Sequence, residues 1–354
     1  MDSHRLQRVM ESMNRSQCSQ MLLTSPSNIF YLTGISFDPG ERFAGLLLAR
    51  GEAPLFFCNR LFPQGEDSPY ETIWHEDGED PFRGVVDRLS RSAPLAVDKD
   101  CPARFLFPLL ESSVTLTDAS PLIDRVRMIK DSEEITLMKE ASRLNDKALG
   151  FLAECFHPET TEKELVRKLD EFYSRHDSSF SFAPLIAFGS HAAVPHHESG
   201  HGTPVPGSSV LFDIGGRTKG YCSDMTRTFS FGQPGPKLKE IYAIVLEANL
   251  AAESVIRPGT PFSEIDRAAR EVITQKGYGE HFTHRTGHHI GIDVHEFPDV
   301  SLANPMAAEA GMIFSVEPGI YLPGECGVRI EDLVLVTENG VEILNRYPKE
   351  LIRL

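Results

Sequence analysis

Apolar positions along the chain fall into two regimes. Over residues 1 to about 125, a polar helical stretch at 5–16 is followed by short apolar runs at 21–23, 29–32, 45–48, 55–57 and 95–97. Gly, Pro, Asn and Asp punctuate them. Runs this short between turn residues predict strands, and strands alternating with helical stretches predict a sheet with helices packed on it. This part shows no glycine-rich phosphate loop. Its acidic cluster, Glu76-Asp77-Gly78-Glu79-Asp80, reads as a solvated loop.

After a break near 121–127 the apolar spacing becomes helical. Asp131-x-x-Glu134 and Thr161-x-x-Glu164 are capping-box patterns. The first precedes Ile135, Met138, Ala141 and Leu144; the second precedes Leu165, Leu169 and Phe172, each set on one helical face. Helices are also expected over 238–255, before Pro258-Gly259, and over 263–276, closed by Gly277. Strands are expected over 209–214, 223–230, 312–316 and 327–336. The reading is an α/β domain over 1–125 followed by an α+β domain over 126–354.

One internal repeat lies in the second domain. Gly207 to Gly215 and Gly311 to Gly319 share a frame: Gly, five residues, a carboxylate (Asp213 or Glu317), one residue, Gly. Each carboxylate is followed by another, Asp224 in the first case and Glu331 in the second. A turn at Thr218-Lys219 pairs positions summing to 437 and sets Asp213 opposite Asp224. A turn at Pro323-Gly324-Glu325 gives a sum of 648 and sets Glu317 opposite Glu331. Opposed residues share a sheet face with β-carbons about 4.5–5.5 Å apart, and like charges there repel. For one pair, exposure or a retained proton would relieve the repulsion. Two repeat-related pairs among apolar strand residues favour metal, and four carboxylates favour two divalent ions. The segment 284–298 adds His284, His288, His289 and His295 within a Gly-rich stretch. Oxygen ligands with one imidazole suit Mn, Co, Zn or Fe better than Mg or a thiolate-bound metal.

Composition narrows the partners. The 354 residues carry 35 basic and 51 acidic side chains, net charge -16, which leaves no basic excess for nucleic acid. No apolar run approaches the roughly 18 residues that span a bilayer, and the polar start has no signal core. A membrane partner and export are therefore not expected. Six cysteines without CxxC pairs read as buried free thiols and fit a reducing cytoplasm.

Taken in order, His284 to Glu296 resembles the signature of the aminopeptidase P and proline dipeptidase branch of the metallopeptidase group that includes methionine aminopeptidase. The blocks Tyr221–Thr228, Ser315–Tyr321 and Gly327–Asp332 resemble that family's ligand blocks. The resemblance implies a pita-bread catalytic domain over 126–354 and a creatinase-like α/β domain over 1–125, the latter including Leu23 to Gly34. It implies Asp213, Asp224, His288, Glu317 and Glu331 as metal ligands. It makes His295 and His196 catalytic donors to the substrate carbonyl, with His196 and His284 lining the substrate pocket and Arg329 and Tyr321 supporting the site as substrate-binding residues. Pro195 to His201 is richer in histidine than the family pattern, so His197 and His201 compete for the place of His196; solvent exposure is expected for both.

The implied activity is hydrolysis of the bond preceding proline, as Xaa-Pro dipeptidase or short aminopeptidase. Two ions, Mn first among the candidates, would hold a bridging water and lower its pKa from 15.7 towards roughly 7. Glu317 would carry the proton to the leaving nitrogen. Short proline-containing peptides are the expected substrates and a homodimer the expected assembly. Two alternatives stay open: a same-fold hydrolase or lyase acting on a small non-peptide substrate, and a metal-free peptide-binding module, which predicts broken ligand positions.

Overall fold

The structure is a computed structural model describing residues 3–354. It divides into two compact units, the first ending at Arg127 and the second running Met128–Leu354.

The first unit is built on a six-stranded sheet in the order Glu71–His75, Leu55–Asn59, Gly45–Ala49, Gln20–Leu23, Leu95–Val97, Leu116–Asp118. The strands are mixed parallel and antiparallel. Leu22, Leu47, Phe57 and Val97 pack with Phe43, Phe82 and Phe105 in one core. Each such side chain contributes roughly 1.5–3 kcal/mol on burial. The run 29–32, expected as a strand, lies instead in the helix Pro26–Thr33. Pro26 pre-sets the first helical φ, and Gly34 at φ 77 ends the helix by donating to the Phe30 carbonyl at 2.8 Å.

The second unit has two similar halves. In one, helices Ser132–Cys155 and Glu162–Ser174, both with capping boxes, pack on strands Leu185–Phe188, Ser209–Ile214 and Met225–Ser230. In the other, helices Pro236–Val255 and Phe262–Gln275 pack on a five-stranded sheet containing Gly287–His289, Ile313–Val316 and Asp332–Thr337. Within each half a long hairpin carries the repeat.

Both hairpins break where the carboxylates stand. The expected strand 223–230 begins only at Met225, after a break at 223–224 that separates it from Tyr221–Cys222, and 327–336 becomes Cys326–Arg329 and Asp332–Thr337. The second hairpin keeps the sum of 648: Tyr321 faces Gly327, and Val316 faces Asp332. The first does not keep 437. Its pairs sum to 439, so Asp213 faces Thr226, and Asp224 is its diagonal neighbour. The turn is Lys219-Gly220, with φ values of 50 and 87, the twist that two-residue hairpins favour. A shift of two preserves the sheet face, so the two aspartates remain together.

The hairpins are joined through residues 226–228 and 329–332. Thr226 accepts at its carbonyl from the Glu331 N–H at 3.1 Å, Thr228 Oγ1 donates to the Arg329 carbonyl at 3.0 Å, and the buried Arg227 pairs with Asp332 at 2.7 Å. All six cysteines are free of disulfides. Cys18, in the loop before the strand Gln20–Leu23, and Cys155, the last residue of its helix, are only half-buried, contrary to the expected burial.

Candidate metal centre

The four carboxylates and one imidazole converge on a cavity of about 690 Å³ lined in part by Asp213, Asp224, His288, Glu317 and Glu331. The Asp224, His288 and Glu331 ligand atoms lie within 4.8 Å of one another. His288 Nε2 is 3.7 Å from Asp224 Oδ2 and 3.4 Å from Glu317 Oε1. Two ligands about 2.1 Å from one tetrahedral ion stand about 3.4 Å apart, so this spacing is that of shared coordination.

His288 and His289 alternate across the strand Gly287–His289. His288 turns to the carboxylates; His289 turns into the core between Phe262 and Phe314. The His288 Nδ1–H donates to the His289 carbonyl at 3.1 Å, which leaves the Nε2 lone pair to the cavity. Burial, then the charge of His295, pushes its pKa down to about 3, so the ring is neutral and ready to ligate.

The acids are driven the other way. Asp224 is held well above the usual carboxylate range by burial, then by Glu331, Asp213 and Glu317. Glu331 is raised by burial, then by Glu317 and Asp213. Burial also lifts Glu317 to about 7, against the lowering influence of Arg329. Buried Asp213 Oδ1 and Asp224 Oδ1 have no hydrogen-bond partner. Crowded acids with orphaned oxygens, next to a neutral imidazole, fit divalent cations.

One cation is built in. Arg329 pairs with Asp213, donates from Nη1 to the Tyr321 hydroxyl at 2.8 Å and from Nε to Thr226 Oγ1 at 3.1 Å. Thr226 Oγ1 in turn donates to Glu331 Oε2 at 2.7 Å. The Tyr321 O–H donates to His284 Nε2 at 2.7 Å, because the His284 Nδ1–H is used on the Arg285 carbonyl at 2.7 Å. Burial, then Arg329, lowers His284 to about 4, consistent with that neutral tautomer. His284 lines the cavity with both nitrogens engaged, one on the Arg285 carbonyl and one on the Tyr321 hydroxyl. Tyr321 and His284 brace Arg329, which itself lines the cavity.

His196 and His295 are exposed and line the cavity, with the His295 ring 4.2 Å from His288 and edge-on to it. Glu296 holds the turn before His295: its Oε1 accepts from Ile292 N–H at 3.0 Å and Asp293 N–H at 3.2 Å, and Lys130 pairs with Oε2 at 3.0 Å. His201 is exposed as expected, but His197 is not. It lines the cavity and is held at 2.9 Å by buried Glu162, which also binds His191. Sequence reasoning passed over Glu162. The signal was faint: a capping box whose first helical residue is acidic, far in sequence from the histidines it meets.

Residues 136–338 match the model of metallopeptidase family M24, and residues 5–129 match that of the creatinase/prolidase N-terminal domain. The chain belongs to metallopeptidase family M24. This metallopeptidase is 36% identical over 355 residues to an uncharacterized peptidase of Staphylococcus aureus strain MRSA252, covering 98% of this chain and 99% of that one. Its fold is similar to a dipeptidase from Pyrococcus horikoshii OT3, TM-score 0.94 at 34% identity over 99% and 100% of the chains. A prolidase from Thermococcus sibiricus is likewise similar, TM-score 0.94 at 34% identity over 100% of both chains. The metallopeptidase therefore has the expected pita-bread catalytic domain after a creatinase-like α/β domain. No helix among its described residues is long and apolar enough to cross a membrane.

Proposed function

We propose that this metallopeptidase is an Xaa-Pro dipeptidase using two divalent ions held by Asp213, Asp224, His288, Glu317 and Glu331. The observation that carries the metal reading is the pair of buried, unpartnered aspartate oxygens in the cavity that a neutral His288 also lines. The likeness to a dipeptidase and a prolidase supports the substrate class. The ions, when bound, supply Lewis acidity and an ionised water at neutral pH.

The chain's own groups do the rest. His295 and His196, on the cavity wall, donate to the scissile carbonyl oxygen as negative charge builds there, where a fixed donor is most effective. Glu317 accepts a proton from the attacking water and delivers it to the proline nitrogen, which must be protonated to leave. Ser315 Oγ, 3.1 Å from Glu317 Oε1, keeps that carboxylate oriented. Arg329, braced by Tyr321 and His284, holds Asp213.

Manganese, a homodimer and a cytoplasmic setting remain part of this reading. Metal analysis and sizing of the purified protein test the first two. The activity is tested with Ala-Pro and Gly-Pro against Xaa-Pro-Yaa peptides in Mn or Co. Cleavage of the dipeptides with little action on longer peptides is expected; inactivity on every prolyl substrate ends the proline claim.

A further inference from the structure

Glu162 opens the helix Glu162–Ser174 and is fully buried, yet it is a carboxylate with no lysine or arginine on it among the described residues. Four donors satisfy it. Oε1 accepts from the Phe188 N–H at 3.0 Å and His191 Nδ1 at 2.7 Å; Oε2 accepts from His197 Nε2 at 2.9 Å and the Gly200 N–H at 2.9 Å. The two imidazoles stack with centroids 4.4 Å apart. Burial pushes the carboxyl up, and the hydrogen bonds, led by His197, more than offset it, so the group stays ionised.

Glu162, His191 and His197 are close enough to be considered as metal ligands. Their spacing argues otherwise. At 2.7 and 2.9 Å each nitrogen meets the carboxylate directly, in contrast to the 3.4 and 3.7 Å gaps around His288. Every carboxylate lone pair in the plane is also taken by an N–H. The trio is a hydrogen-bonded clamp.

What it clamps is the segment between Phe188 and Gly200, from which Pro195, His196, His197 and Glu198 line the cavity. The segment is a 3-10 turn followed by irregular chain, without ladder bonds of its own over 195–200. We propose that Glu162 is a positioning residue of the catalytic cavity. It ties both ends of this segment and the His197 ring to a rigid helix, and so sets where His197 and the adjacent His196 stand. The proposal rests on reading that cavity as the peptidase site, not on the identity of the substrate's second residue.

The test uses full-length Mn-loaded protein with Glu162→Gln, His197→Gln and the double variant. Substrates are a panel of prolyl and non-prolyl dipeptides, so failure of the proline reading shows in the parent alone. Glutamine offers an N–H where Gly200 or Phe188 also presents one, so one donor goes unmet. Loss of an outer-shell partner typically costs about 10–100-fold in activity. That loss in kcat/KM is expected for Glu162→Gln, with KM and kcat changing unequally and the metal content of folded protein unchanged. His197→Gln should lose a similar factor, and the double variant little more than either alone.

In 1H–15N spectra, a protected His197 Nε2–H is expected in the parent, absent in Glu162→Gln, with the His196 ring resonances displaced. Parental kcat and KM in folded Glu162→Gln, losses that multiply independently, or unmoved His196 resonances would overturn the proposal. If Glu162→Gln does not fold, His197→Gln decides: a tenfold or larger loss supports the clamp, and parental kinetics refute it. If the parent cleaves no dipeptide, the His196 and His197 resonances decide.

Discussion

At the scale of single residues, the metal centre consists of groups whose ionisation is unfavourable until a cation arrives. Glu331 shows this best. It is 2% exposed, and burial, Glu317 and Asp213 all oppose its charge. Glu331→Gln keeps an acceptor for Thr226 Oγ1 and removes the charge. In metal-free protein at pH 8 this variant is expected to melt higher than the parent, because one of several repelling anions is gone. In Mn it is expected to melt lower than the parent and to lose more than the ~100-fold in activity that an outer-shell change produces. Thermal melts with and without chelator check both halves. A variant that still carries two ions per chain and parental activity would remove Glu331 from the ligand set.

At the scale of elements, the site depends on strands that come unusually close. A β-carbon on Gly287 would lie 1.8 Å from the Ser315 carbonyl oxygen, so only glycine lets the His288 strand seat against the strand carrying Ser315. Gly287→Ala is expected to cost about 1–3 kcal/mol, the range for overpacking. It should also weaken metal binding, since His288 must shift with its backbone. Urea unfolding and Mn titration measure the two; unchanged values would mean the strands yield more readily than this approach implies. The breaks at Asp224 and Glu331 belong to the same scale. The run 223–230 starts as strand only after Asp224, and 327–336 breaks at Glu331, because long-range partners supply the backbone bonds. The Glu331 N–H goes to Thr226 in the other hairpin. No local pattern announces a partner 105 residues away.

At the scale of the whole molecule, stability, metal and pH are one linked system. Glu317, Asp224 and Glu331 have folded pKa values above their ordinary ones. The metal-free folded protein therefore binds more protons than the unfolded chain, and its stability falls as pH rises. For Glu317 the window opens at the ordinary 4.5 and closes near 7. Bound ions displace those protons, so the difference in melting temperature between metal-loaded and chelated protein should widen from about pH 4.5 to pH 7. Melts across that range test it; a constant difference would show that the acids and the ions do not share a site.

Much of this was legible in the chain before any fold was known. The Gly–strand–carboxylate frame repeats because two halves of one unit are built alike, and the order of His284, His288 and His295 resembles one family closely. Capping boxes at Asp131 and Thr161 are local chemistry and form where they are written. The register of the first hairpin was not legible: whether the turn is Thr218-Lys219 or Lys219-Gly220 is decided by strand pairing on both sides. Nor was the fate of individual histidines. Alternation alone cannot say which of His288 and His289 faces the acids until the sheet has a buried side. His197, in irregular chain, needed Glu162 on a helix 35 residues earlier to draw it from solvent to the cavity wall. Sequence by itself determined which side chains could ligate, because ligand chemistry belongs to residue type and repeat. Tertiary structure alone decided which atoms of those side chains stay free for a cation, because that depends on hydrogen bonds between segments that meet only after folding.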